Sequence, residues 1–147
     1  MHRRFCSPIT VHLLLIRGDE ILLLKRKNTG FGDGQYSVVA GCCDGGESVT
    51  TAMVREAAEE AGIEVRADDL HVAAVLHGRR GPEWESVEFF FFARQFRGEI
   101  TNREPDKCDE LAFFPLAALP DTLLPNVRLG LSNALEGIFF GEYGWSS

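Results

Sequence analysis

Two runs rich in leucine and isoleucine open the chain, Ile9 to Ile16 and Ile21 to Lys25, and the polar Arg17-Gly18-Asp19-Glu20 between them predicts a hairpin. Lys25-Arg26-Lys27 leads into Asn28-Thr29-Gly30-Phe31-Gly32-Asp33-Gly34. The glycines there would let the loop shape itself around a ligand, although a plain surface connection has the same composition. Tyr36 to Ala40 is short and apolar, as a strand would be. The spacing then becomes helical. Val49, Met53, Ala57 and Ala61 recur at four-residue intervals, Ser48 is a suitable N-cap, and Gly62 can supply the left-handed turn that ends a helix. Strands are expected again over Asp68 to His77 and Ser86 to Phe96, with a polar loop from His77 to Glu83 between them. Phe89, Phe90, Phe91 and Phe92 cannot all face one side of a strand, so that strand is expected to be buried on both faces under helices above and below. Leu111 to Phe114 reads as a further strand, and the amphipathic run from Asn126 to Phe140 as a last helix.

With 147 residues the chain is long enough to bury one core, and a single domain over 1–147 is expected. A net charge of −7 argues against a nucleic-acid polymer or an anionic membrane as partner, since both call for basic patches. A small anionic ligand remains compatible, because a bound metal inverts the local field. Cys6, Cys42, Cys43 and Cys108 form no CxxC pair and read as free thiols in a reducing compartment. Arg3 and Arg4 precede an apolar run, but His12 interrupts it and no small-residue cleavage site follows. The run is therefore read as a strand and the protein as cytoplasmic. His12, His71 and His77 show no ligand-type spacing.

The chemistry concentrates on the first helix. Glu56, Glu59 and Glu60 stand at i, i+3 and i+4 and share one arc of it. Like charges so close repel unless something positive lies between them. Their oxygens are hard donors with no His or Cys placed to complete a zinc site, which favours Mg²⁺, or Mn²⁺ as its substitute. A solvated acidic helix face is the other reading of the same spacing.

The surrounding residues extend the pattern. Gly41, five residues, Glu47, seven residues, Arg55-Glu56, two residues, Glu59-Glu60, one residue, Gly62 and Ile63 together resemble the Nudix box. Ala57 departs from it, standing where that family prefers a larger aliphatic residue. The resemblance implies an α/β fold, the α/β/α sandwich on a mixed β-sheet, and a loop-helix-loop in which Gly45 and Gly46 permit tight turns. It implies Mg²⁺-dependent hydrolysis of a nucleoside diphosphate derivative, with Glu56, Glu59, Glu60 and the backbone of Gly41 at the metal. Glu59 or Glu60 would orient or deprotonate water, and Arg55 would brace the site by pairing with Glu47. A further carboxylate from a later loop is expected, with Glu104, Asp109 and Glu110 as candidates.

For the substrate, the resemblance is nearest to MutT-type members, which convert a (deoxy)nucleoside triphosphate to the monophosphate and pyrophosphate. Phe31, Phe113 and Asn126 are the candidate substrate contacts, Asn126 as a base contact or simply as a helix cap. One or two of the strand phenylalanines could stack on a base. Gly78 stands where ADP-ribose-cleaving members often carry proline, and the extra motif of NADH-cleaving members is missing. Cleavage of ADP-ribose or another nucleotide sugar is the alternative, and a non-catalytic nucleotide sensor a second one. A prenyl diphosphate isomerase would need a catalytic cysteine, for which only Cys108 offers itself. The expected partner is a small nucleotide, and the expected state a monomer or homodimer.

Overall fold

The computed structural model describes residues 4–146, so Arg3 of the Arg3-Arg4 pair lies outside the described residues. In chain order the elements are β1 (Ile9–Leu14), β2 (Ile16–Arg17), β3 (Glu20–Arg26), β4 (Tyr36–Ser37), β5 (Ala40–Cys42), α1 (Val49–Ala61), β6 (Leu70–Arg79), β7 (Glu85–Ala93), β8 (Cys108–Pro115), α2 (Pro125–Glu136) and β9 (Phe140–Tyr143). A mixed five-stranded sheet runs β5-β1-β7-β6-β9, with β1 parallel to β7 and β9 parallel to β6. The second sheet is antiparallel. β3 is its spine, paired along one edge by β8 and along the other by β2 and β4 in turn.

This arrangement corrects two expectations. The opening runs do not form one hairpin: the turn at Gly18 and Asp19 joins only β2 to β3, while β1 belongs to the other sheet. The apolar run over Tyr36 to Ala40 likewise divides into β4 and β5, one in each sheet, with Val38 and Val39 between them. The cause is the same in both places. Each stretch is buried where the sheets meet, and crossing from one sheet to the other lets it pair on both. Leu13 donates to the Val39 carbonyl at 2.8 Å and Leu22 to the Leu15 carbonyl at 3.0 Å, which staples the crossings together.

The phenylalanine strand is buried on both faces, as its composition demands. Phe91 packs with Met53, Ala57 and Ala61 of α1, and Phe90 with Val127 and Leu131 of α2. Phe89 and Phe92 pack at the margins of these two cores, on the α1 and α2 sides respectively. The helices thus lie on opposite faces of the mixed sheet, the α/β/α sandwich. Ser48 caps α1 by accepting from the Thr51 N–H at 3.1 Å, and Gly62 ends it at φ 66°.

Strand bounds also shift. β6 begins at Leu70 after a short 3-10 turn and continues to Arg79, so His77, Gly78 and Arg79 are strand residues rather than loop. β7 stops at Ala93. The last helix stops at Glu136, because Gly137 takes φ 74° and reverses the chain into β9, an edge strand that helical periodicity had absorbed. The glycine-rich loop is pinned rather than pliant: Asp33 accepts from the Thr29 N–H at 2.9 Å, the Thr29 hydroxyl at 2.6 Å and the Gly30 N–H at 3.1 Å.

Gly130 of α2 lies against the ring of Phe90, where a Cβ would stand 2.3 Å from Cζ. Gly130→Ala is expected to cost about 1–3 kcal/mol in urea unfolding, the scale of overpacking a filled core. Gly45→Ala, with open space around it, should leave the midpoint unchanged.

Candidate active site

α1 presents its three glutamates very differently. Glu56 is buried against the core, Glu60 is half-buried, and Glu59 is exposed. Gly41 of β5 explains how Glu56 fits: a Cβ there would lie 2.2 Å from the Glu56 carboxyl, so only glycine lets the strand pass so close. Glu60 Oε1 accepts from the Ala40 N–H at 2.9 Å, which ties the other end of the cluster to the same strand.

Arg55 holds the group together. Its Nε and Nη2 donate to the two Glu47 oxygens at 3.1 and 2.6 Å, the bidentate geometry expected of that pair. Nη1 donates to Glu56 at 2.8 Å and to Glu59 at 3.2 Å, and Nη2 also reaches the Cys42 carbonyl at 3.1 Å. The Glu47 carboxyl is held below its ordinary range by Arg55 and by the Asp44 N–H. Glu47 accepts from that N–H at 2.8 Å, closing the loop in front of the helix, where Gly46 takes φ 87°.

Burial acts in the opposite sense on the inner carboxyls. Glu60 is pushed up to about 8, first by burial and then by the charges of Glu56 and Glu104, against the opposing Ala40 N–H and Arg26. Glu56 is raised by burial and by Glu59 and Glu104, with Arg55 opposing. Both therefore feel Glu104. The other late carboxylates are engaged elsewhere: Asp109 lies 3.4 Å from the Lys27 ammonium, and Glu110 accepts from the Tyr36 hydroxyl at 2.8 Å.

Such a cluster takes up positive charge, and its donor set is all oxygen. Hard carboxylate oxygens, a glycine that clears the approach to Glu56 and the repulsion between Glu56, Glu60 and Glu104 fit Mg²⁺ or Mn²⁺. Among the described residues no three His, Cys, Asp or Glu side chains already converge at metal-ligand spacing. Their oxygens are turned instead to protein donors, Glu56 and Glu59 to Arg55 and Glu60 to Ala40.

Two clefts meet beside this cluster. One of about 310 Å³ is lined by Glu60, Glu104 and Lys107. The other, about 270 Å³, lies over the α2 side of the mixed sheet and is lined by His12, Phe31, Arg80, Trp84 and Asn126. Arg26, Ala40 and Gly41 line both. Two guanidinium groups lie near the Phe31 ring, that of Arg80 at 4.4 Å and that of Arg26 at 5.5 Å from its centre. His12 is stacked on Phe90 and held neutral, its pKa lowered to about 4, chiefly by burial.

Two expected contacts change. Phe113 lies away from the second cleft: it sits in β8 opposite Leu22, with the Arg17 guanidinium 3.8 Å above its ring. Asn126 lines the cleft, yet it is not a helix cap. It is the second residue of α2, after Pro125, and its side chain donates to Glu88 at 2.7 Å. Cys108 is buried and its thiol pushed up by burial, while donating to the Glu110 carbonyl at 3.2 Å, so it has no nucleophilic character. The thiol of Cys43 is also pushed up by burial, and the Cys42 carbonyl accepts from Arg55. Arg26, Arg80, Trp84 and Glu88 were not singled out by the sequence reading. Of these, Glu88 had a signal: it is a lone carboxylate on the same strand face as Phe90.

A carboxylate cluster braced by one arginine thus opens beside an aromatic cleft. Residues 7–135 match the family model of the NUDIX domain, and the chain belongs to the Nudix family. A NAD-capped RNA hydrolase, NudC, of Pseudomonas aeruginosa (strain LESB58) is 36% identical over 114 residues, a match that takes in 78% of this chain but only 38% of that relative. Among solved structures, a MutT NUDIX hydrolase from Burkholderia pseudomallei superimposes with a TM-score of 0.79 at 28% identity, covering 86% of this chain and 97% of that one. A NUDIX hydrolase from Nitrosomonas europaea shares the fold with a TM-score of 0.76 at 20% identity, covering 92% and 93%. No helix among the described residues is long and apolar enough to cross a membrane.

Arg55→Lys keeps the charge but not the fork that serves Glu47, Glu56, Glu59 and Cys42 together. Turnover is expected to fall roughly 10- to 100-fold, the scale for losing a group that orients ligands. Steady-state assay with an unchanged far-ultraviolet spectrum checks this; wild-type turnover would mean the bracing is dispensable.

Proposed function

We propose that the chain hydrolyses a nucleoside triphosphate to the monophosphate and pyrophosphate. The observation that carries this reading is the meeting of the two clefts at Arg26, Ala40 and Gly41. A base held beside Phe31, Trp84 and Asn126 leaves its phosphates beside Arg26 and the carboxylates of α1. Mg²⁺ held by Glu56, Glu59 and Glu60 with the Gly41 backbone would neutralise phosphate charge and acidify a bound water. Arg26 contributes fixed positive charge where the clefts meet, and Lys107 does so in the cleft lined by Glu60 and Glu104. Glu59 or Glu60 takes the proton of the attacking water, and Glu104 is the added late carboxylate of the cluster. The neighbour from Burkholderia pseudomallei, a MutT NUDIX hydrolase, supports the triphosphate.

The 36% identity to the NAD-capped RNA hydrolase favours a second reading, in which a dinucleotide pyrophosphate is cut to two monophosphates. The exposed Trp84 at the cleft mouth offers a stacking surface for a second ring. The absence of the extra motif of NADH-cleaving members weighs against it.

Hydrolysis of nucleoside triphosphates, ADP-ribose, NADH and NAD-capped RNA with Mg²⁺ separates these readings. Pyrophosphate from a triphosphate is the expected product. Inorganic phosphate alone would reject the triphosphate assignment, and turnover confined to NADH or the capped RNA would establish the second reading. A chelator should abolish activity while circular dichroism stays unchanged, because the two apolar cores supply the stability. Glu60→Gln should lower turnover by at least roughly 10²-fold. Glu64→Gln, exposed beyond the end of α1, should change little; equal losses would mean that acidity in general matters and not this geometry.

A further inference from the structure

Glu88 is a fully buried carboxylate in the middle of β7, on the face that carries Ser86 and Phe90 toward α2. Three donors converge on it. The Ser86 hydroxyl donates to Oε2 at 2.9 Å, the Tyr143 hydroxyl donates to the same oxygen, and the Asn126 Nδ2 donates to Oε1 at 2.7 Å. Tyr143 reaches it from β9 because Gly78, its partner in β6, leaves room: a Cβ at Gly78 would stand 2.1 Å from the tyrosine ring. His12 Nε2 lies 3.9 Å from Oε1 and is paired with the Thr10 hydroxyl at 3.0 Å.

With the Ser86 and Tyr143 hydroxyls both donating to Oε2, the atom that Asn126 turns to Oε1 is its nitrogen. That commitment fixes the amide in one of its two orientations. The Asn126 oxygen has no donor among the described residues and is not one of the fully buried unpaired atoms. It therefore opens on the cleft that Asn126 lines.

We propose that Glu88 is a positioning residue for specificity: by locking the Asn126 amide it makes the cleft present a hydrogen-bond acceptor, which selects a nucleotide whose base brings an N–H donor to that point. The exocyclic amine of adenine or cytosine meets this requirement. A base offering only acceptors there leaves the Asn126 oxygen desolvated and unpaired, and it is the unpaired buried group that makes such rejection strong. The inference rests on the nucleotide reading of the cleft, but not on which bond is cut.

Binding of AMP and of purine riboside 5′-monophosphate, which differ only in the 6-amino group, is measured by titration calorimetry on the wild-type chain. AMP is expected to bind at least roughly tenfold more tightly, the scale of one buried hydrogen bond. In Glu88→Gln the carboxamide both donates and accepts, so Asn126 is free to turn, and the preference should vanish while kcat on a triphosphate is kept and only KM moves. Equal affinities in the wild type, no binding of either probe, or an undiminished preference in folded Glu88→Gln would overturn the proposal. Should Glu88→Gln fail to fold, Glu88→Asp, whose shorter side chain withdraws its oxygen from the Asn126 amide, takes its place: loss of the preference is expected, and an undiminished preference overturns the proposal. A wild-type chain that keeps the preference but hydrolyses no triphosphate would reject the proposed reaction and leave this inference standing.

Discussion

The site depends on a single guanidinium. Glu47, Glu56 and Glu59 lie close enough to repel one another, and Arg55 is the cation that reaches all three while also holding the Cys42 carbonyl. Its planar fork allows this where a point charge would not. Because Glu47 belongs to the loop and Glu56 to the helix, the same group sets how the loop folds back over α1. The carboxylate that Arg55 leaves alone, Glu60, is the one whose proton affinity rises most, and it is secured by the backbone of Ala40.

The second constraint is topological. The chain passes from one sheet to the other at Leu15 and returns through Val38 and Val39. The return delivers Ala40 and Gly41 to the carboxylates, and the outward path through β3 ends at Arg26, beside them. Both clefts share these residues because the return crossing and the end of β3 meet there. The carboxylate cluster and the aromatic cleft are adjacent as a result of how two sheets are joined.

Much of this was legible in the sequence. The Glu56, Glu59, Glu60 arc and the caps of α1 follow from local spacing, which a helix converts directly into geometry, and the Arg55 to Glu47 pairing was implied by the family resemblance. What was not legible depends on contacts between distant segments. Phe113 was assigned to the base pocket by position, and strand pairing put it under Arg17 instead. Asn126 has the composition of a cap, yet its partner lies in another strand. β9 was hidden because Ile138, Phe139 and Phe140 continue an apolar run that only the left-handed Gly137 breaks. Glu110 and Glu104 look alike in sequence, and the hydroxyl of Tyr36 is what separates them.

The parallel pairing of β9 with β6 has a consequence for how the protein acquires its cleft. Tyr143, Glu88 and Asn126 come from β9, β7 and α2, and His12 beside them from β1, so the network behind the cleft consists of contacts between remote segments. Closing such contacts requires loop entropy to be overcome before any pairing rewards it, so they form late. The carboxylate helix, with its local caps and nearby loop, can organise earlier. The carboxylate cluster and the Glu88 network are thereby separated in folding time, and a chain with β9 undocked would keep the first while lacking the Tyr143 contact of the second.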